Sequence, residues 1–426
     1  MHVLDEIIRS QKNGEGIGIP SICSAHPSVL KEALRVSDSR NVCLIEATCN
    51  QVNQFGGYTG MTPRDFVRYI HGIAEENQFP WERVILGGDH LGPNVWQDEP
   101  ASSAMQKSEI MIRDFVQAGF IKIHLDCSMR LGDDPKGALD PQTSAQRTAQ
   151  LAKVAEASSM ERMVLPRYVI GTEVPIPGGA QEHETGVSVT TVADATETIR
   201  LMHEAFQHEG LESAWERVIA VVVQPGVEFG DDFVLEYQPQ LARDLSRFIE
   251  SQPMIYEAHS TDYQTHEALT NLVQDHFAIL KVGPWLTFAY REAIFALAMI
   301  ERELFRTSGS HLIEVLDEVM LQRPEYWAKH YHGSAEEQAF KRKYSFSDRI
   351  RYYWTDPRVQ TALTTLMGNL GERSLPLSLL SQFTPGQHEK IRQGKIEGTP
   401  ESVVLDHIRV VLREYESACR GNGSHP

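Results

Sequence analysis

What is scarce in this 426-residue chain narrows its class first. Cysteine is rare: Cys23, Cys43, Cys49, Cys127 and Cys419 are odd in number, widely spread and never in a C-x-x-C pair. That distribution offers neither a disulfide framework nor a cysteine zinc cage. Positive charge is in deficit, with 40 Lys and Arg against 58 Asp and Glu and a formal net charge of −18. Nucleic acid is therefore not the expected partner, because phosphate backbones call for clustered cations. A small phosphorylated substrate stays open, since a few local cations and backbone amides suffice for one. No apolar run approaches the ~18 residues of a membrane span, and the first 20 residues lack a signal-peptide core. The expectation is a cytoplasmic protein without a membrane partner. Three catalytic signatures are also absent. There is no G-x-x-x-x-G-K-[ST] and no G-x-S-x-G, and "GEGIGIP" (14–20) lacks a preceding strand and a third glycine. These gaps argue against a P-loop kinase, a serine hydrolase and a dinucleotide enzyme.

What is there is an alternation. Eight short apolar, β-branched runs occupy 16–27, 41–51, 83–94, 121–129, 167–179, 217–230, 253–264 and 277–288. Their near-continuous apolar character suits parallel strands covered by helices on the outside. Helical patterns lie between them at 62–77, 101–119, 143–158, 190–210 and 238–252. Thr62-Pro63 opens the first as an N-cap followed by Pro at N1, and Gly119 closes the second. The reading is an α/β fold, a (β/α)₈ TIM barrel over residues 1–297 with a helical C-terminal extension over 298–426. A doubly wound open sheet is the other architecture such alternation permits. A barrel of ~250 residues leaves well over a hundred for the extension, whose segments ("HLIEVLDEVMLQ", "SFSDRIRYYW", "SVVLDHIRVVLREYESA") are helical without strands.

Barrel enzymes place their chemistry at the C-terminal ends of the strands. Here those ends carry residues an apolar core has no use for: Glu46, Thr48, Asn50 and Gln51 after the second run, Asp89-His90 after the third, His124 and Asp126 in the fourth. Glu173 follows in the fifth, Gln224 and Glu228 in the sixth, Glu257 and His259 in the seventh, and Lys281 in the eighth. One such residue is ordinarily a cap or a satisfied loop hydrogen bond. Seven strands out of eight showing them at the same end point to a site, because isolated buried charges cost several kcal/mol unless paired or metal-bound. The mix of histidines and carboxylates suits a divalent metal, zinc first and manganese second. His124 reads most simply as a satisfied core histidine. In "SFSDRIRYYW" (345–354), Arg349 and Arg351 read first as solvated arginines on a packing helix; otherwise Arg349 reaches a phosphate over the barrel mouth.

The motifs "CSAHP", "LIEATCNQVNQFGGYTGMTP", "ILGGDHLGPN", "AGFIKIHLDCSM", "YVIGTEVPIPGG", "EAHSTDYQ" and "LKVGPWLTFAYREAIFALA" resemble those of the GatZ/KbaZ family, named for the second subunit of class II tagatose-1,6-bisphosphate aldolase. The family is similar, more distantly, to catalytic class II aldolases. That resemblance implies a proton-handling Asp89 beside a zinc-binding His90, an Asp126-Cys127-Ser128 ending, and Glu173 in place of the aldolases' fifth-strand Glu. It also exposes a departure: at the sixth strand, where the aldolases keep a second zinc histidine, this chain reads "VVVQPGV" with Gln224 the nearest polar residue. His259, or Glu257, then stands as the seventh-strand ligand.

The resemblance thus implies metal-dependent C4 epimerisation of a ketohexose phosphate, of the tagatose 6-phosphate to fructose 6-phosphate type, through retro-aldol and aldol steps. The alternative it implies is a non-catalytic subunit that stabilises a separate aldolase chain. The expected roles are Asp89, Asp126 and Glu173 in catalysis, and His90, Glu173 and His259 on the metal. Glu46, Asn50, Gln224, Ser260, Thr261, Lys281 and Arg349 are expected to contact substrate. The expected partners are a ketose or ketose phosphate and an aldolase catalytic subunit, within a homo-oligomer.

Overall fold

The computed structural model describes residues 2–37, 42–160, 164–171, 188–371 and 374–421. Ten strands occur among them: β1 (Ile19–Ile22), β2 (Cys43–Thr48), β3 (Val84–Leu91), β4 (Lys122–Leu125), β5 (Arg167–Ile170), β6 (Val218–Val222), β7 (Glu228–Phe229), β8 (Val234–Leu235), β9 (Ile255–Ala258) and β10 (Phe277–Val282). Eight of them close a parallel barrel in the order β1-β2-β3-β4-β5-β6-β9-β10. Each of the eight apolar runs supplies one barrel strand, so the barrel holds and the open sheet does not. The sixth run also contributes β7, which pairs antiparallel with β8 in a small hairpin at the mouth. The five anticipated helices appear as Pro63–Glu76, Ala101–Ala118, Pro141–Ser159, Val192–His208 and Pro239–Glu250. Thr62 caps the first through a reciprocal bond with Asp65, as its sequence position implies.

Two apolar layers hold this arrangement. One lies between the strands and the surrounding helices, from Val29 and Phe66 to Phe277 and Leu297. The other fills the lower half of the barrel with Ile19, Leu44, Ile85, Val169, Ile219, Ile255 and Ile279. Leu4 and Ile7 of the helix Val3–Lys12 plug that lower end. The upper half is different, because the strand faces that continue upward carry charge instead of hydrocarbon.

The expected boundary at 297/298 falls inside a continuous helix, Pro284–Leu304. The helices beyond it are not a detached unit. The last one, Pro400–Ala418, packs on Pro284–Leu304, Pro27–Val36 and His266–Gln274. It is also tied to the barrel by polar contacts: the Tyr415 hydroxyl donates to Thr261 O at 2.7 Å, and Gly18 N–H to Cys419 O at 3.0 Å. No helix among the described residues is long and apolar enough to cross a membrane.

Candidate active site

The strand register stacks polar residues in two tiers above the apolar floor. Ser21 lies level with Lys281, Glu46 with Gly87, and Gly87 with Lys122. Gly87 makes this tier possible: a Cβ there would sit 2.6 Å from Glu46 Cγ, so any side chain would displace the carboxylate. Lys122, wholly buried, places Nζ 2.7 Å from both Glu46 Oε1 and Glu257 Oε2. Lys281 Nζ reaches Glu46 Oε2 at 2.8 Å and Asp89 Oδ1 at 2.9 Å. Glu46 completes its shell by accepting from Ser21 Oγ at 2.6 Å.

The upper tier gathers three histidines. Their ring centroids lie 4.8 to 5.2 Å apart: His90 to His259, His90 to His124, and His124 to His259. Each ring has one nitrogen against a carboxylate at 2.9 Å. His90 Nδ1 meets Asp126 Oδ2, His124 Nδ1 meets Asp89 Oδ1, and His259 Nε2 meets Glu257 Oε1. Where the ring donates to its carboxylate, the opposite nitrogen carries a lone pair, the arrangement by which outer carboxylates set a metal-ligating tautomer; His124 Nδ1 also lies 3.2 Å from the His90 N–H. His124 Nε2 is buried and has no hydrogen-bond partner, an expensive state for a polar atom with nothing to bind. Ligand atoms of Asp89, His90, His124 and His259 lie within 4.8 Å of one another.

Charge agrees with geometry. Four buried carboxylates (Glu46, Asp89, Asp126, Glu257) face two buried ammonium groups (Lys122, Lys281), leaving an excess of two negative charges. A dication would balance them with the histidines neutral. Burial works against the imidazolium of His90, yet Asp89 and Asp126 outweigh it and raise its pKa. Burial prevails at His259, which is pulled down to about 4. Asp89 is held well below the usual carboxylate range, burial being overcome by His90, Lys281 and His124. These residues fit a divalent metal.

Above the cluster opens a cavity of about 650 Å³, within the range of small-molecule sites. Asp89, His90, His259, Ser260, Lys281 and Asn50 line it. His90 (φ 48°) and Ser260 (φ 53°) hold left-handed backbone without being glycine, a conformation that persists where surrounding structure imposes it. The C-terminal segment forms the roof with Arg351, Tyr352 and Trp354. Beneath it lies Asp348, which accepts from Thr287 Oγ1 at 2.6 Å. Burial, opposed by Arg291, pushes its carboxyl up to about 7. A folded-state pKa above the unfolded one gives stability that is complete below pH ~4 and is lost as pH rises to ~7, at on the order of 1 kcal/mol per pH unit. Asp348→Asn, which also tolerates the left-handed backbone at φ 47°, is expected to flatten that loss. Urea unfolding of both proteins between pH 4 and 7 checks it; parallel profiles would refute it.

The structure redistributes several expected roles. Asp126 is absent from the cavity lining; Oδ2 faces His90, and Oδ1 accepts from Ser128 Oγ at 2.6 Å and Ser128 N at 3.1 Å. Asp126, expected in catalysis, stands behind His90 and is hydrogen-bonded to it. Gln224 turns its side-chain oxygen onto Gly226 N and Val227 N, shaping its own loop rather than facing substrate. Thr261 Oγ1 donates to Lys281 O, and Glu46 lies in the tier below the cavity floor. Arg349 turns away, donating to Tyr326 O, while Arg351 enters the cavity. Glu173 lies outside the described residues. His124, expected to be a core histidine, joins the cluster instead. The spacing of His124 and Asp126 already puts them on one strand face; Lys122, two residues earlier on that face, is the residue the sequence reading leaves out.

Residues 4–420 match the family described as D-tagatose-1,6-bisphosphate aldolase subunit GatZ/KbaZ-like. A protein of Salmonella heidelberg (strain SL476) named D-tagatose-1,6-bisphosphate aldolase subunit GatZ is 53% identical over 419 residues, covering 98% of this chain and 99% of that one. Its namesake from Salmonella typhimurium (strain LT2) is 52% identical over the same length. Among solved structures, a protein described as a probable tagatose 6 phosphate kinase from Sinorhizobium meliloti 1021 superposes with a TM-score of 0.87 at 48% identity, covering 94% of this chain and 100% of that one.

Proposed function

This chain belongs to the GatZ/KbaZ-like family of D-tagatose-1,6-bisphosphate aldolase subunits, and from that premise we propose that its barrel performs metal-dependent aldol-type chemistry on a ketohexose phosphate. The reaction we assign is C4 epimerisation of the tagatose 6-phosphate to fructose 6-phosphate type. One observation carries this reading: three histidines, each oriented by its own carboxylate, converge beside Asp89 under a cavity.

His90, His124 and His259 would hold the metal, zinc or manganese. When bound, a divalent cation supplies Lewis acidity toward the carbonyl and hydroxyl oxygens of the ketose. Asp89 takes the proton of the C4 hydroxyl as the C3–C4 bond breaks and its electron pair moves toward the C2 carbonyl. The three-carbon aldehyde turns, the bond re-forms on its other face, and Asp89 returns the proton. Lys281 holds Asp89 in place, and Asn50 and Ser260 are positioned to meet substrate hydroxyls.

A second reading is that the chain serves as the partner of a separate aldolase subunit. The relatives' names support that role more directly than they support epimerisation. The kinase description of the Sinorhizobium protein finds no echo in a P-loop motif here. One experiment separates the readings: tagatose 6-phosphate is supplied to the purified chain with Zn²⁺ or Mn²⁺ and fructose 6-phosphate is measured. Turnover that chelation or His124→Ala abolishes is the expected result. No turnover, with gain of activity only in an aldolase subunit co-purified with the chain, would leave the partner role alone standing.

A further inference from the structure

The cavity is electrically lopsided. At its floor, Lys281 is already paired with Asp89, and with Glu46 and Glu257 in the tier below. The roof carries Arg351, which has no carboxylate within ion-pair distance among the described residues. Its guanidinium is nonetheless firmly placed. Nη1 donates to Ser347 O and Asp348 O, Nη2 donates to the Tyr352 hydroxyl at 2.9 Å, and the carbon lies 4.4 Å from the Tyr352 ring centroid. These three bonds all go to neutral oxygens, and Nε–H has no hydrogen-bond partner among the described residues. A guanidinium with an N–H left over can take an anion's oxygen in a charge-assisted bond.

The surroundings favour an anion at this end as well. The helix Pro27–Val36 opens onto the same cavity with no side-chain cap and no acidic residue in its first turn. It is joined to the roof by rings: His26 lies 4.0 Å from Tyr290, and Tyr290 lies 5.0 Å from Trp354. A fixed cation without an ion pair among the described residues and an open helix N-terminus thus line one volume.

We propose that Arg351 is the specificity residue that takes the phosphoryl group of the substrate, holding it through the unpartnered Nε–H and the charge of the guanidinium. The far end of the ketose then lies over the histidines. This rests on the reading that a ketose occupies the cavity, but not on any turnover there. The roof segment, outside the eight strands, thereby selects phosphorylated over free sugars.

The test is binding, measured calorimetrically on the full chain, both metal-loaded and after chelation. The titrants are tagatose 6-phosphate, tagatose, inorganic phosphate and a six-carbon keto sugar acid. Wild type is expected to prefer the phosphate ester over free tagatose by about 10–100-fold, the range of a charge-assisted contact. Arg351→Met is expected to erase that preference and the binding of inorganic phosphate, while leaving affinity for free tagatose unchanged. Arg351→Lys is expected to restore only part, as a point charge without the fork. An unchanged preference in Arg351→Met overturns the proposal, as does a wild type that ignores inorganic phosphate. Equal loss of both sugars would reduce Arg351 to a structural residue and overturn it too. Equal affinity for the sugar acid would overturn it in favour of a carboxylate site. A phosphate preference that depends on Arg351 without any epimerisation would retain this site while refuting the reaction assigned above.

Discussion

Asp89→Asn is expected to lower kcat for tagatose 6-phosphate by about 10²–10⁴-fold, the range of general acid–base catalysis, with little change in KM. Asp89 divides its oxygens between two tasks. Oδ1 meets His124 Nδ1 and Lys281 Nζ, both at 2.9 Å. Oδ2 has looser neighbours, His90 Nε2 at 3.7 Å and Cys23 Sγ at 4.0 Å, and is the oxygen left for a substrate proton. Asparagine keeps the shape and can still accept from His124 through its amide oxygen. It cannot take up a proton. Rate and metal content should therefore separate: turnover collapses while the bound cation, measured by elemental analysis, stays near one per chain. A kcat within twofold of wild type would remove Asp89 from the proton path.

Lys122→Met is expected to destabilise the fold by about 3–5 kcal/mol, the cost of stripping one partner from a buried ionic group. Lys122 is wholly buried and bridges Glu46 and Glu257. Methionine matches its length but leaves both carboxylates short of charge, with Lys281 as the neighbouring ammonium group, 2.8 Å from Glu46 and 3.7 Å from Glu257. The second consequence reaches the site, because Glu257 sets the tautomer of His259. Urea denaturation with Glu257→Gln and the double variant distinguishes pairing from packing. If the two changes add without coupling, the buried network contributes no pairwise stability and the expectation falls.

Much of this molecule was legible without coordinates. Alternating apolar runs and amphipathic stretches are local patterns, and each barrel strand arose from one of them. Asp89, His90, His259 and Lys281 were legible because they interrupt hydrocarbon at the same end of different strands. Lys122 escapes the sequence reading, and His124 reads there as a core histidine, for a physical reason. A parallel barrel strand is buried on both faces, so alternation shows which residues share a face without showing whether that face meets the helices or the barrel axis. Arg349 and Arg351 were confused for a related reason. They lie two apart in a short 3₁₀ turn, Arg349–Tyr352, and only its docking on the barrel decides which one turns inward.

The missing sixth-strand histidine also looks different in three dimensions. Gln224 stays in its own loop, while His124, two strands away around the barrel, lies with Asp89, His90 and His259. Spacing along the chain cannot reveal such a grouping, because closing the barrel makes neighbours of strand residues 34 to 170 positions apart.

The sequence by itself determined the barrel, the end at which polar residues gather and the family, because periodicity, strand-end polarity and long motifs are properties of the chain alone. Tertiary structure decided the rest: which histidines converge, which carboxylate orients each of them, and which arginine roofs the cavity. Those depend on barrel closure, strand register and the docking of the C-terminal helices. Each of these brings together charges that are distant in sequence, and their energies exist only once water is excluded between them.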